Sequence, residues 1–340
     1  MQRKRLFKFA IMFVSLGLGV ALFVWLLAKE GGVAILDNLV SFGFLPFIGF
    51  VTISSLNFTL YAWRWQLIIN SHLPPRERLP LRRVYLHRMA GFAMSYLTPA
   101  AQVGGEPARI AMLGSDNVPL RHATSSVILD VAFEMTAYIA FIVSGVVLAI
   151  AQGLGDGVSF AIVLIALGLT LVLLILFFWG AGSGRQFFSL AFRAVRLDRV
   201  ARLKRFVEPI RSMETLMTEF LQGKISLVIL VAFLSIVVIF FRVVEVFYLA
   251  LFFGVDVSLA QAFLVSTIPG IALLLPVPAG LGVFEGSFEL IFTLLAIPMS
   301  PVAFALIIRS RDLIFIFVGV MHMAQRGRAF LEARLLGKGA

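Results

Sequence analysis

The chain has 340 residues, of which 60% are hydrophobic, and its mean hydropathy is +1.00. These values lie outside the range of soluble domains and indicate a protein built from membrane-spanning helices. The formal net charge of +11 does not indicate nucleic-acid binding, because the basic residues lie between long apolar segments. The absence of cysteine from the sequence excludes a disulfide framework and a thiolate metal site.

Six segments are long and apolar enough to cross a bilayer, which takes roughly 20 residues of helix. They are 6–28, 42–69, 123–151, 158–179, 225–253 and 301–323. The first begins with basic residues, as a signal peptide does. Its apolar run is longer than a signal core and no cleavage site follows, so it is predicted to be a retained helix.

Two further apolar regions, 84–113 and 259–297, contain prolines and glycines near their middle. Each is predicted to form two short helices around a break. They are either re-entrant hairpins or pairs of thin crossings, and both choices give an even number of passes. Broken backbone is tolerated in hydrocarbon only where protein or a polar cavity surrounds it. The two breaks are therefore predicted to line a pathway.

Lysine and arginine are concentrated in the segments 3–8, 76–83, 185–224 and 326–338, which all fall on one side of the six-span arrangement. Because basic residues are in excess on the cytoplasmic side, both termini are predicted to be cytoplasmic. The segment 180–224 is predicted to be a basic amphipathic linker that lies on anionic lipid at the cytoplasmic surface. The alternative is an ordinary cytoplasmic linker, which is basic only because cytoplasmic loops of membrane proteins are rich in lysine and arginine.

The two broken regions resemble each other in sequence. Residues 99–106 read PAAQVGGE and residues 278–285 read PAGLGVFE, so each has a glutamate seven residues after its proline. An arginine precedes each proline by 35 or 36 residues and a charged residue follows each glutamate by 24; these are Arg64 and Arg242, and Asp130 and Arg309. The shared register predicts two repeats, 42–151 and 225–323. Because the repeats enter the membrane from opposite sides, they are predicted to be inverted, as in many secondary transporters.

The predicted fold is an all-α polytopic membrane protein, with about six full transmembrane helices and two broken or re-entrant hairpins arranged as inverted repeats. All of it belongs to a single integral membrane domain, residues 1–340. The candidate residues for a substrate-binding pathway are the ionisable residues within the spans and the glycines of the two breaks. They are Arg64, Gly104, Gly105, Glu106, Arg109, Asp130, Glu134, Arg242, Glu245, Gly280, Gly282, Glu285, Glu289, Arg309, Arg311 and Asp312.

Two interpretations of these charges remain open. Opposite charges pair internally and fix the helix packing, or arginines bind an anionic head group while carboxylates titrate. Arg64 has a further alternative as a snorkelling anchor at the interface, because tryptophans flank it. Asp130 and Glu134 are predicted to hold Arg309 and Arg311, since the two pairs occupy corresponding positions of the repeats and carry opposite charge.

Enzyme signatures are absent from the sequence. It contains no GxxxxGK[ST], no HExxH and no GxSxG, and its four histidines are scattered. We therefore expect no catalytic residues, no metal site and no cofactor, and predict that the protein is not an enzyme.

Three segments carry a resemblance to a known family: YLTPAAQVGGEPAR at 96–109, the Arg-x-x-Glu at 242–245, and LPVPAGLGVFEG at 275–286. They resemble the integral membrane region of lysylphosphatidylglycerol synthases, a flippase-like family, and the resemblance extends over residues 7–326. By this resemblance Gly104, Gly105, Glu106 and Arg109 belong to the first motif, and Gly280, Gly282 and Glu285 to the second.

The resemblance implies translocation of an anionic, aminoacylated or polyprenyl-linked lipid between leaflets of the cytoplasmic membrane of a bacterium or archaeon. Membrane lipids are then the partners. The synthases carry a soluble aminoacyl-transferase domain after the membrane region, whereas this sequence ends soon after its last span, so a stand-alone member is expected. An ion-coupled carrier of a small anion, and a non-transporting subunit that presents lipid to a separate enzyme, remain as alternatives. The lipid, the direction, the energy source and the oligomeric state are left open.

Overall fold

The computed structural model describes residues 31–98, 104–153, 157–184, 207–272 and 280–335, with a few residues between 21 and 29. The regular elements of these ranges are helices, and the prediction of an all-α polytopic protein is confirmed. In chain order they are α1 (Gly32–Phe42), α2 (Phe44–Ser71), α3 (Leu81–Leu97), α4 (Gly105–Gly114), α5 (Leu120–Ala151), α6 (Gly157–Gly182), α7 (Val207–Gln222), α8 (Ile225–Phe252), α9 (Leu259–Ala272), α10 (Val283–Leu294) and α11 (Pro301–Leu335), with one 3-10 turn at Pro75–Glu77.

Among the described ranges, three helices are long and apolar enough to cross a membrane: α2, α5 and α8. They match the predicted spans 42–69, 123–151 and 225–253 closely. The predicted start of the first of these is wrong, because Gly43 adopts φ +78° and separates α2 from the short helix α1. The predicted span 6–28 lies almost wholly outside the described residues.

Each predicted broken region forms two short helices. In the first, α3 and α4 pack against each other, and in the second, α9 and α10 do so. The prolines that the repeat was built on, Pro99 and Pro278, lie outside the described residues. At the second break, Gly280 and Gly282 adopt φ of +61° and +77°, a left-handed conformation that glycine adopts without steric cost.

The same order of helices, long, short, short and long, occurs twice, in α2–α5 and in α8–α11. The two sets are interlocked. The short helix α3 packs along the long helix α11 of the other set, and α9 packs along α5. Both crossings are close because a glycine faces the partner. A Cβ on Gly319 would meet the backbone of Met89, and one on Gly145 would meet Thr267. Small residues of this kind let membrane helices approach closely.

The described part of the predicted amphipathic linker packs against the helix bundle. Its helix α7 buries Met213, Met217 and Phe220 against Phe133 of α5 and Val231 of α8. The apolar face of α7 therefore packs within the protein, and the prediction that the linker lies on anionic lipid stays a prediction. The basic stretch before α7 lies outside the described residues.

Candidate functional site

A cluster of charged side chains, called the first cluster below, joins α2, α3, α4 and α5. It contains Arg64, Arg88, Arg109, Asp130 and Glu134. The carboxylates are one turn apart on α5 and thus face the same way. Arg64 donates from Nε to Asp130 Oδ1 and from Nη2 to Glu134 Oε2, both at 2.8 Å. Arg88 bridges the same two carboxylates at 2.8 and 2.7 Å, and Arg109 donates to Asp130 Oδ2.

Aromatic rings of α2 cover the first cluster. Tyr61 lies 5.2 Å from the guanidinium carbon of Arg64 and 4.4 Å from that of Arg88, and Trp65 lies 4.0 Å from that of Arg109. The face of an aromatic ring attracts a guanidinium through a cation–π interaction, which is stronger when the guanidinium is desolvated. The cluster holds three arginines against two carboxylates, so its formal charge is 3 − 2 = +1.

A second cluster joins α3, α8, α10 and α11. It contains Tyr96, Glu245, Glu285, Arg309, Arg311 and Asp312. Arg309 donates from Nε to Glu285 Oε1 at 2.9 Å and from Nη1 to the hydroxyl of Tyr96, which donates to Asp312 at 2.7 Å. Arg311 contacts Asp312 at 3.0 Å and Glu245 at 3.2 Å. Two arginines face three carboxylates, so the formal charge is 2 − 3 = −1.

Glu285 also starts its own helix. Its Oε2 accepts the backbone N–H of Gly282 at 2.7 Å, which satisfies one of the free donors at the N-terminus of α10. Because the other oxygen accepts from Arg309, this one side chain ties the second break to α11. Gly280 contributes its carbonyl oxygen, 3.3 Å from Arg309 Nη2.

The two clusters lie at different depths. Ser54 on α2 donates to Glu245 on α8 at 2.8 Å, and Arg64 on α2 lies 3.4 Å from Ser235 on α8. The two contacts are ten residues apart on each helix, and their order shows that the helices run antiparallel. At 1.5 Å per residue, ten residues span about 15 Å. The clusters are therefore about 15 Å apart along the helix axes.

Arg242 lies between the clusters. It comes three residues before Glu245 on α8, and it neighbours Tyr61, whose ring also covers the first cluster. Its guanidinium carbon is 5.3 Å from the ring centre of Tyr138. In the described part of the chain it has no carboxylate oxygen within 4.0 Å, unlike the arginines of both clusters.

The structure contradicts two predictions about single residues. The pairing of Arg309 and Arg311 with Asp130 and Glu134 is wrong, since the two pairs belong to different clusters. The interpretation of Arg64 as an interfacial anchor is also wrong, because its side chain is fully buried and bonded on two sides. Eleven of the sixteen candidate residues lie in the clusters, at the second break beside them, or between them: Arg64, Arg109, Asp130, Glu134, Arg242, Glu245, Gly280, Glu285, Arg309, Arg311 and Asp312. Gly282 caps α10, as described above.

The other four candidates are placed differently. Gly104 and Gly105 begin α4, and a Cβ on Gly105 would meet the carbonyl of Gly91. Glu106 lies in the first turn of α4, where its Oε2 is buried without a hydrogen-bond partner. Glu289 belongs to neither cluster and forms an ion pair with Lys29, beside a cavity of about 510 Å³.

The sequence reasoning missed four members of the site. Arg88 lies inside the broken region 84–113 and could have been counted with the membrane charges. Tyr61, Tyr96 and Tyr138 gave no signal beyond a polar group in an apolar segment.

A separate polar cluster forms around His87, the residue before Arg88 on α3. His87 Nε2 donates to Asp116 at 2.7 Å, and Arg326 donates to the same carboxylate at 2.8 Å. His322 shares a hydrogen bond with His87 at 3.0 Å. Burial raises the pKa of Asp116, but His87, Arg326 and Arg83 together hold it below its ordinary value. This cluster ties the loop after α4 to α11.

In the ranges that the structure describes, no group of three or more His, Asp or Glu side chains could hold a metal ion. A family model described as "Lysylphosphatidylglycerol synthase TM region" matches residues 12–319. No curated protein and no solved structure matches the chain.

Proposed function

Because the chain belongs to the family of lysylphosphatidylglycerol synthase transmembrane regions, we propose that it is a lipid translocase and not an enzyme. Its substrate is an anionic, aminoacylated or polyprenyl-linked lipid of the cytoplasmic membrane, which it moves between leaflets. The observation that carries the proposal is the position of Arg242, without a carboxylate partner among the described residues, between two ion clusters about 15 Å apart in depth.

Arg242 hydrogen-bonds Tyr61, but among the described residues no carboxylate within 4.0 Å balances its charge. An arginine charge at membrane depth costs about 3 kcal/mol, and such a residue is a functional candidate by default. A phosphate oxygen would relieve that cost through charge-assisted hydrogen bonds, which the planar guanidinium can make in pairs. In the proposed path the head group exchanges from the arginines of the first cluster to Arg242 and then to those of the second cluster. The acyl chains stay in lipid throughout.

The interlocked helix sets support this path. Inverted repeats place equivalent sites toward opposite faces, with the substrate passing between them. The repeated order of α2–α5 and α8–α11, and the matching contacts of α3 with α11 and of α9 with α5, are those expected of inverted repeats. With both termini in the cytoplasm, the first cluster belongs to the inner leaflet and the second to the outer leaflet.

The test uses purified full-length protein in phosphatidylcholine liposomes that contain acyl-labelled NBD phosphatidylglycerol. Dithionite bleaches only the outer-leaflet label, so the bleached fraction reports lipid movement. Wild-type protein is expected to expose the inner-leaflet label. Arg242→Ala should slow this by about tenfold or more, and Arg242→Lys should recover part of the rate, because lysine keeps the charge but lacks the fork.

Arg121→Ala is the matched control, since Arg121 is exposed outside the clusters, and its rate should equal that of the wild type. No lipid movement by the wild-type protein would contradict the translocase. Uptake of inorganic phosphate by the same liposomes would then favour a carrier of small anions. The absence of both lipid movement and phosphate uptake would favour the non-transporting subunit. Lipid movement that is unaffected by Arg242→Ala would show that the path lies elsewhere.

A further inference from the structure

Glu106 differs from every other carboxylate of the candidate set. The others each have a lysine or arginine nitrogen within 4.0 Å: Asp130, Glu134, Glu245, Glu285, Glu289 and Asp312. In the described part of the chain Glu106 has none, and its Oε2 is buried without a hydrogen bond. Its counterpart in the second repeat, Glu285, is held from both sides by Arg309 and the Gly282 N–H.

The position of Glu106 links it to the first cluster. It lies one turn before Arg109 on α4, and residues three apart share a helix face. Gly105 holds the start of α4 against Gly91, so the carboxylate is carried on a fixed segment. The charged side chains of the neighbouring first cluster are Arg64, Arg88, Arg109, Asp130 and Glu134.

Arg109 has capacity for a further acceptor. Its side chain is 6% exposed, and it donates one hydrogen bond to Asp130 from Nη2. Its Nε is buried without a partner. A buried guanidinium N–H that lacks an acceptor is unfavourable, and an oxygen of an incoming phosphate would supply one. Within the described residues, a donor and a carboxylate oxygen that both lack hydrogen-bond partners thus lie one turn apart at the start of α4.

The net charge of the region links the protonation of Glu106 to the binding of a head group at the first cluster. The first cluster carries +1, so an ionised Glu106 makes the region neutral. A singly charged head group that binds there leaves an excess of −1, which a low-dielectric region disfavours. Uptake of one proton by Glu106 restores neutrality.

Building on the proposed function, we propose that Glu106 is the proton-coupling site and that one proton moves with each singly charged head group. The proton comes from water on the side where the lipid enters, forms the carboxylic acid on Glu106, and returns to water when the head group leaves. No net charge crosses in this symport, so the transmembrane potential does not drive it.

The test uses the same liposomes with a pH gradient and with pyranine inside. Wild-type protein should move NBD phosphatidylglycerol toward the alkaline side until the leaflet ratio has changed by about tenfold per pH unit, the value for one proton. Pyranine should report about one proton per lipid. In the wild-type protein, labelled phosphatidylcholine, which brings no net charge, should show no such bias.

Glu106→Gln should let the lipid equilibrate while the leaflet ratio no longer responds to the gradient. Glu77→Gln, an exposed glutamate in the turn after α2, should behave as the wild type. Lipid movement by the wild-type protein that ignores the gradient would overturn the proton coupling and leave the translocase intact. The wild-type measurement decides this even if Glu106→Gln does not fold. Absence of any lipid movement contradicts the translocase and, with it, this inference.

Discussion

Removal of one carboxylate charge, by Asp130→Asn, is expected to destabilise the protein more than any other single neutralisation in the two clusters. Asp130 is fully buried and accepts from Arg64, Arg88 and Arg109. Asparagine keeps the shape but leaves three buried guanidinium groups against Glu134 alone. Breaking a buried ion pair from one side costs about 3–5 kcal/mol, because the remaining charge is uncompensated.

Asp312→Asn, a neutralisation in the second cluster, is the comparison for the loss of stability expected from Asp130→Asn. Asp312 accepts from one arginine and one tyrosine, and its neighbour Arg311 keeps Glu245 as a partner. Its loss should therefore cost less, about 1–3 kcal/mol for a buried hydrogen-bond partner. Asp256→Asn is the exposed control on the loop after α8 and should stay within about 0.5 kcal/mol of the wild type.

The assay is thermal unfolding in detergent, followed by the fluorescence of the four tryptophans. At about 2 °C per kcal/mol, Asp130→Asn should lower the midpoint by about 6 °C or more, and Asp256→Asn by less than about 1 °C. The ionic-strength dependence should be small for Asp130→Asn, since buried charges are weakly screened. A midpoint for Asp130→Asn equal to that of Asp256→Asn would refute the conclusion that the first cluster stabilises the helix bundle.

Three further predictions concern other parts of the molecule. Gly105→Ala should destabilise the protein by about 1–3 kcal/mol in the same unfolding assay, because its Cβ meets the backbone of α3, whereas Gly114→Ala, with open space around it, should not. Asp116→Asn should flatten the dependence of the midpoint on pH. The lowered pKa of Asp116 contributes stability that is present above its ordinary pKa of 3.8 and is lost as the pH falls through the pKa in the folded protein, so only the wild type should lose it in acid. A single cysteine introduced by Arg78→Cys should react with an impermeant maleimide only from the cytoplasmic side, and one introduced by Asp256→Cys only from outside. Labelling of both from one side would contradict the predicted orientation.

Local signals in the sequence were sufficient for the helices. Apolar length located α2, α5 and α8, and the glycine and proline content of 84–113 and 259–297 indicated two pairs of short helices. These features depend on backbone chemistry within a few residues, so they can be read without knowing the fold. The ionisable residues within the predicted spans and the glycines of the two breaks also included eleven residues that lie in or beside the two clusters or between them.

The partners within the clusters could not be read in the same way. Asp130 and Arg309 occupy corresponding positions of the repeats, and their opposite charges suggested a pair. Corresponding positions of two repeats need not touch, and here Asp130 and Arg309 belong to different clusters, about 15 Å apart. Arg88, in contrast, belongs to neither the repeat nor a motif in the sequence, yet it bridges Asp130 and Glu134, the two carboxylates of α5.

A double-mutant cycle separates these two arrangements directly. Asp130→Asn and Arg64→Gln remove two side chains that contact at 2.8 Å, so the loss of stability in the double variant should be smaller than the sum of the single losses, with a coupling of about 1–3 kcal/mol. Asp130→Asn and Arg309→Gln remove side chains from different clusters, so their losses should add within about 0.5 kcal/mol. Reversal of both charges, by Asp130→Arg with Arg309→Asp, should abolish folding, because the new arginine would face Arg64, Arg88 and Arg109. A folded double reversal, or a strong coupling between Asp130 and Arg309, would mean that the two residues meet in a state of the protein with the clusters brought together.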